Sequence, residues 1–400
     1  MCKKINFNYF TKRGSVEMRA ERKRQAKKEK NRFCKNLSII YSILAIALVV
    51  LFIILDVLPM LLFAVLVGAI AIGSIFIVPV LYSPYGNAER KKKIKVIACI
   101  LVLIFGVADY YMISTIGFLN HISSYVDEGA SDRTEAHAEV TEEAFNVLVS
   151  GIDVTGDINE TVSRSDVNMV VTINPNSREV LITSIPRDYY VELPGYGAMD
   201  KLTHTGIYGA EESIGAVEEL LGIDINYYAK VNYSTITGLV DAIGGIDIVS
   251  PYSFDTHGMG VSYHFEEGKI HLDGDQALAY CRERKSWVDG DMKRNENQQL
   301  ILEAIIKKIT RGPVVLVKYP AILDAIKGTV ETDMSKDDMT ELVKMQLSDM
   351  RFWDITKQAI KGTPDFAECY SIGDVASVVM PDYDSIYNAT ELIDEVAERE

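Results

Sequence analysis

The 400-residue chain predicts a layered α/β domain, a central mixed sheet flanked by helices, carried on three transmembrane helices. Three observations carry that prediction. From residue 143 onward, short β-rich runs alternate with segments of helical periodicity, the pattern of a layered α/β domain. Before it lie three apolar runs, each close to the roughly 20 residues that a membrane-spanning helix needs. The charge also changes sign along the chain. Residues 1–36 carry 13 Lys or Arg against 3 Glu, whereas residues 118–400 carry 23 Lys or Arg against 50 Asp or Glu, a formal −27. The net −15 of the whole chain hides this division.

The apolar runs are Leu37–Leu55 (19 residues), Met60–Tyr82 (23) and Val96–Ile116 (21, broken by Asp109). A cleaved leader has one shorter apolar core, so three runs in succession predict a multi-pass anchor in the plasma membrane. Orientation follows from Lys and Arg, which stay on the cytoplasmic side. Arg22, Lys23, Arg24, Lys27 and Lys28 keep the N-terminal arm inside. Asp56–Pro59 has no basic residue and faces out. Arg90, Lys91, Lys92, Lys93 and Lys95 hold the second connection inside, so residue 118 onward emerges outside. The basic arm reads as a topology and anionic-lipid signal. The acidic outer domain excludes general nucleic-acid binding, whose affinity comes from cations neutralising phosphates. Asp109 is expected to pair across helices or to reach the outer interface beside Tyr110 and Tyr111.

The predicted organisation is therefore a basic cytoplasmic arm (1–36), three spans (37–117), a polar stalk (118–142), an α/β core (143–309) and a C-terminal part completing the outer domain (310–400). Within the core, Phe145–Ile152 reads as a buried strand. Val167–Ile173 and Glu179–Ile185 read as a hairpin, because Asn174-Pro175-Asn176-Ser177 between them is turn chemistry. Residues 208–221 are helical and stop at Gly222. Tyr227–Tyr233 reads as a strand and Thr235–Ile243 as a helix ended by Gly244-Gly245. Asp275–Tyr280 and Arg294–Ile309 read as helices. Cys281 and Cys369, the only cysteines of the outer domain, are expected to be buried free thiols, since a disulfide framework needs more.

An acidic domain that binds an anion must do so with a local cluster of cations. Of its ten arginines, Arg164, Arg187, Arg282, Arg284 and Arg294 stand in polar clusters at predicted strand or helix ends. Ligands dock at such ends in α/β domains, and the guanidinium fork suits phosphate oxygens. Arg282 and Arg284 share one side of an extended segment. Asp291, Arg294 and Gln298 share one helix face, which Ile301, Ile305 and Ile309 continue. Asp153 and Asp166 beside such a cluster make sense as ligands of a divalent cation bridging phosphates, magnesium being content with one or two carboxylates. Arg178 and Arg351 lie outside the clusters and are expected to tolerate Ala. No histidine pair has metal-ligand spacing, and no Ser/His or Cys/His signature marks a covalent hydrolase. The glycines are too scattered for a nucleotide loop.

The ordered series Gly151-Ile152-Asp153, Ser163-Arg164-Ser165-Asp166, Ile185-Pro186-Arg187-Asp188, Asp200-Lys201, Gly244-Gly245-Ile246-Asp247, Leu272 to Arg284 and Asp291-x-x-Arg294-x-x-x-Gln298-Gln299 resembles the LytR-CpsA-Psr family. The resemblance implies a phosphotransferase that moves a glycopolymer (teichoic acid, capsule or a related polysaccharide) from an undecaprenyl-pyrophosphate carrier to peptidoglycan. It implies magnesium on Asp153 and Asp166. Arg164, Arg187, Lys201, Arg282, Arg284, Arg294 and Gln298 would bind the pyrophosphate. Asp166, Arg187, Arg282, Arg284 and Asp291 would act in catalysis, with Asp166 or Asp291 taking the proton of an attacking sugar hydroxyl. The polyprenyl tail would occupy an apolar tunnel between sheet and helices, at a place the sequence does not locate. Asn297 stands where some members carry another Arg, and Cys281 where a small apolar residue is usual. Two alternatives remain open at this point: a polyprenyl-pyrophosphate phosphatase using the same site, and a non-enzymatic envelope regulator or lipid-binding scaffold.

Overall fold

The structure is a computed structural model describing residues 5–399 apart from 57, 59, 84–86, 130–138, 154–157, 159–162, 258–260, 288–289, 312–313 and 350. The side chains of 5–17, 20, 27, 122–129, 291, 311, 314–317, 347 and 349 are outside the description. The chain divides into two compact units, 1–113 and 114–400.

The first unit holds α1 (Ile5–Leu55), α2 (Met60–Tyr82) and most of α3 (Ala88–Gly129). All three helices are long and apolar enough to cross a membrane. Their contact faces carry Leu37, Tyr41, Ala45, Leu48, Ile77 and Phe105. The Tyr41 ring lies tilted 5.5 Å from that of Phe105, and its hydroxyl reaches Ser74 Oγ at 3.3 Å. The outward faces carry Ile46, Leu61, Ile75 and Leu103, each well exposed. A helix bathed in water would turn a polar face outward; these turn an apolar one, as lipid-facing helices do. Asp109 is buried. The segment read as a stalk begins as helix, because no Gly or Pro interrupts α3 between residue 118 and Gly129.

The second unit is built on a six-stranded mixed sheet of order β11-β6-β1-β2-β3-β12. Strand β1 (Phe145–Ile152) pairs antiparallel with β2 (Ser165–Asn174), which pairs antiparallel with β3 (Glu179–Ile185). Asn174 Oδ1 accepts from the N–H groups of Asn176 and Ser177 at 2.9 and 3.2 Å, an Asx-type closure of the β2–β3 turn. Next come the ribbon β4 (Tyr190–Leu193) and β5 (Ala198–Lys201), then α4 (Leu202–Tyr208), α5 (Ala210–Leu221), β6 (Tyr227–Asn232) and α6 (Tyr233–Ala242). The ribbon of β7 (Ile246–Ser250) and β10 (Gly268–Leu272) encloses the short pair β8 (Phe254–Asp255) and β9 (His264–Phe265). Then follow α7 (Gly274–Arg282), α8 (Gly290–Arg311), α9 (Val314–Ile326), β11 (Val330–Thr332), α10 (Lys336–Asp349) and β12 (Asp354–Ala359). A last hairpin, β13 (Gly362–Cys369) and β14 (Asp374–Pro381), leads into α11 (Tyr383–Ala397).

Side chains alternate across the sheet with period two. Leu148, Val170 and Leu181 point to one face, against Ile214 and Val217 of α5 and Ile386 and Ile393 of α11. Met169, Val171 and Ile182 point to the other, against Leu302 and Ile306 of α8 and Trp353. Burying side chains of this size stabilises by roughly 1.5–3 kcal/mol each, so the sheet is fixed from both faces. Helices α6, α7 and α8 share a further core with the β7–β10 ribbon through Val240, Ile248, Leu272 and Ile301. Cys281 and Cys369 are free and buried, as expected. Arg178 departs from expectation. It is 4% exposed, its φ is +61°, and its guanidinium lies 5.0 Å from the centre of the Trp353 ring. Its alkyl stem and charge are packed, so Arg178→Ala is destabilising rather than neutral.

Candidate active site

Strand direction gathers the sequence clusters. In the antiparallel series β1, β2, β3, the end of β1, the start of β2 and the end of β3 fall on one edge of the sheet. Strand β6 runs parallel to β1, so its end falls there too. Asp153, Asp166, Arg187 and Tyr233 are the residues at those four ends. Asp166 has a local reason to face outward. Gly151 pairs with Val167 and Ile152 with Ser165, so Asp166 is the extra residue of a β-bulge and has no partner across the ladder. Bulges re-aim one side chain in this way. Gly151 is required opposite: a Cβ there would stand 2.7 Å from Val167 Cβ.

The second half of the site comes from the α7–α8 junction. Asp273 caps α7 with a reciprocal bond to Gln276, which fixes where the helix starts and delivers Arg282 at its last turn. The chain is then extended at Glu283, so Arg284 projects from the same loop. Glu283 is 2% exposed, and its carboxylate accepts N–H bonds from His257 (2.5 Å), Lys285 (2.6 Å) and Ser286 (3.0 Å). Each charge-assisted bond contributes about 1.5–3 kcal/mol, so Glu283 is the internal fastening of the arginine loop. On α8, Arg294 and Gln298 turn one face to the site, with Arg294 buried.

These residues enclose a polar cavity of about 230 Å³ lined by Asp153, Asp166, Arg187, Tyr233, His257, Arg282, Glu283, Arg284, Lys285, Arg294 and Gln298. Arg187 Nη1 donates to Asp166 Oδ1 at 2.8 Å, and its Nε lies 3.4 Å from Asp188 Oδ2. Arg282 Nη2 donates to Asp153 Oδ2 at 3.2 Å, while its guanidinium lies 4.3 Å from the centre of the Tyr233 ring. Burial, opposed by Arg282, pushes the Tyr233 phenol up to about 12, so it remains a donor at neutral pH. Both carboxylates thus carry an arginine, and the site offers cationic forks and hydrogen-bond donors to an anion.

Directly beneath lies an apolar cavity of about 160 Å³ between the sheet and helices α6 and α8. Val149 and Met169 form its floor, and Ile236, Leu239, Ile301 and Ile305 its walls. Tyr233, Arg282 and Gln298 line both cavities. The helix face that starts at Arg294 and continues through Ile301 and Ile305 therefore passes from one into the other.

Seven of the expected residues meet at the polar cavity: Asp153, Asp166, Arg187, Arg282, Arg284, Arg294 and Gln298. Arg164 is exposed outside its lining. Lys201 also stands off the cavity and pairs with Asp188 at 3.3 Å, behind Arg187. The side chain of Asp291 lies outside the described residues. Tyr233, His257, Glu283 and Lys285 were not anticipated as lining residues. A signal existed only for Glu283, an acid set between two arginines of one motif. Among the described residues no group of three or more His, Cys, Asp or Glu is placed to hold a metal. One arrangement could be mistaken for a catalytic triad. Ser371 Oγ and Asp200 Oδ1 both approach His204, at 2.7 and 2.6 Å, but both meet Nδ1. A triad uses opposite ring nitrogens. Burial raises the pKa of Asp200; the hydrogen bonds from Ser371 and His204 outweigh that and hold it below the ordinary carboxylate range.

The sequence pattern of the LytR_cpsA_psr family matches residues 115–386. The chain belongs to the LytR-CpsA-Psr family. It is 36% identical over 251 residues to the polyisoprenyl-teichoic acid–peptidoglycan teichoic acid transferase TagU of Halalkalibacterium halodurans, covering 62% of this chain and 80% of that protein. It is 39% identical over 201 residues to the TagU of Enterococcus faecalis, covering 50% and 65%. The crystal structure of B. subtilis TagV superposes with a TM-score of 0.52 at 27% identity, covering 65% of this chain and 99% of that one. The family match begins within α3 and ends within α11, so it takes in the whole sheet and both cavities.

Proposed function

We propose that this membrane protein is a phosphotransferase that moves a glycopolymer of the teichoic acid or capsule type from a polyprenyl-pyrophosphate carrier to peptidoglycan. One observation carries the reading: a cationic cavity and an apolar cavity share Tyr233, Arg282 and Gln298. An anionic head joined to a hydrocarbon tail is the ligand that satisfies both at once. The names of the TagU relatives support the same reaction class.

In the proposed reaction a sugar hydroxyl of peptidoglycan attacks the polymer-bearing phosphorus. The new P–O bond makes a phosphodiester, the pyrophosphate P–O bond breaks, and polyprenyl phosphate departs. Arg187, Arg282, Arg284 and Arg294 neutralise the charge that gathers on the transferring and leaving phosphates. Gln298 and the Tyr233 hydroxyl can donate at the boundary between head and tail. Asp166, which lines the cavity, or Asp291, as the family resemblance implies, takes the proton released by the attacking hydroxyl.

Asp153 and Asp166 fit magnesium by donor chemistry. Two carboxylates line one cavity, and magnesium accepts one or two of them while drawing its remaining ligands from phosphate and water. When bound, the ion would supply positive charge to the pyrophosphate. Arg282 and Arg187, which now occupy the two carboxylates, would then be available to the pyrophosphate.

The test is a transfer assay with a labelled polymer on its polyprenyl-pyrophosphate carrier. The label is expected in peptidoglycan, and only when peptidoglycan is supplied. Equal release of label to water with and without the acceptor would favour a phosphatase and defeat the transferase reading. Orientation belongs to the same proposal: the basic N-terminal arm and the basic second connection support a 114–400 unit outside the cell. Protease added to intact protoplasts should release that unit; full protection would reverse the topology.

A further inference from the structure

We propose a second binding site on the 114–400 unit: Tyr196, Tyr208 and Tyr370 form an aromatic platform for the uncharged glycan strand of the acceptor. The inference rests on the transfer reading and adds where the acceptor is held.

Three distant segments bring the rings together. Tyr196 stands in the β4–β5 turn, Tyr208 ends α4, and Tyr370 stands in the β13–β14 turn. Ring centres are 4.6 Å apart for Tyr196–Tyr208, 5.4 Å for Tyr196–Tyr370 and 6.4 Å for Tyr208–Tyr370. Yet Tyr196 and Tyr370 remain about half exposed, at 47% and 51%. A cluster assembled only to bury its rings would not leave them in water. Backbone bonds hold the mounts: Tyr196 N–H donates to Leu193 O at 3.0 Å and Tyr370 N–H to Met199 O at 3.1 Å. The platform is therefore preformed, and its occupant need not order it.

Charge identifies the occupant. Glu212 lies beside the rings, its carboxylate accepting the Gly195 N–H at 3.2 Å, and the surrounding unit is strongly acidic. A phosphodiester polymer would be repelled there. N-acetylhexosamine rings are uncharged, present an apolar C–H face to an aromatic ring, and offer hydroxyls to a carboxylate.

The platform is also tied to the polar cavity. Ser371, next to Tyr370, donates its N–H to Asp200 Oδ2 at 2.7 Å and meets His204 through its hydroxyl. Lys201, next to Asp200, pairs with Asp188, and Asp188 with Arg187 at the cavity. The Asp200–His204–Ser371 fastening thus sets the β13–β14 turn against the same ribbon that leads to Arg187.

The test uses the full chain in detergent micelles, with a chitin-type N-acetylglucosamine oligomer and a glycerol-phosphate oligomer as probes. The chain is expected to bind the neutral oligomer and not the anionic one. Tyr196→Ala and Tyr370→Ala should each weaken that binding about tenfold, the scale of a truncated aromatic anchor. Tyr196→Phe and Tyr370→Phe should retain it, as should Tyr387→Ala, an exposed tyrosine of α11. Binding of a short-chain polyprenyl pyrophosphate should be unchanged in every variant, which also reports that they fold. Undiminished oligomer binding in the Ala variants, or preference for the anionic probe, would overturn the platform. Failure of the unaltered chain to bind the pyrophosphate would strike the transfer reading instead.

Discussion

Arg282→Ala will weaken binding of a short-chain polyprenyl pyrophosphate by roughly 10- to 100-fold, the loss of one or two charge-assisted hydrogen bonds. Arg282 is one of three side chains that line both cavities, and it also reaches Asp153 and lies over the Tyr233 ring. Long-range attraction cannot substitute for it, because residues 118–400 carry a formal −27. Arg282→Lys should recover only part of the affinity, since an ammonium keeps the charge and loses the fork. Arg399 is the fitting control, a half-exposed residue paired with Glu179 and Glu395. Its Ala variant should change stability by no more than about 0.5 kcal/mol and leave binding unaltered. Arg178 is unsuitable because it is buried against Trp353. Equal binding by the Arg282 and Arg399 variants, measured by titration calorimetry, would reduce the arginine cluster to surface ion pairs.

Asp166→Ala should lower transfer at least about 100-fold, the usual scale for removing one element of transition-state charge control. Its effect on stability should be small. The Asp166–Arg187 pair is about one-fifth exposed on each side, and partly hydrated pairs contribute about 0–1 kcal/mol. The thermal midpoint should therefore stay close to that of the unaltered chain while activity disappears. An Asp166→Ala protein with full, EDTA-sensitive activity would remove this residue from the proposed magnesium site.

Much of the fold was legible because local pattern and long-range order agree. Phe145–Ile152 is an apolar run between polar segments, and it is β1 to the residue. The β2–β3 hairpin follows from its Asn-Pro-Asn-Ser turn. What escaped depends on partners that no local pattern names. Strand β2 begins at Ser165 rather than Val167, because the bulge at Asp166 exists only relative to β1. Strand β12 joins β3 in parallel from far along the chain, and residues 354–359 carry no periodicity that announces it. The same distinction holds for the site. The arginine clusters were readable because five arginines at element ends are conspicuous in an acidic domain. By sequence Tyr233 reads as the end of a strand; its place in the cavity depends on the parallel pairing of β6 with β1. The apolar cavity needed α6 and α8 to be set against Val149 and Met169, a matter of packing that hydrophobicity alone does not locate.

In the proposed complex one amphiphile occupies both cavities, head among the arginines and tail between the sheet and helices α6 and α8. Affinity of the full chain for pyrophosphate carrying increasing numbers of isoprene units tests it most directly. Burying each CH₂ contributes about 0.8 kcal/mol, so binding should tighten about tenfold or more with the first added unit and level off once the cavity is filled. Ile305→Asp, which puts a charge into the cavity wall, should abolish that dependence while leaving binding of inorganic pyrophosphate unchanged. Affinity that is the same for inorganic and prenylated pyrophosphate would contradict the account.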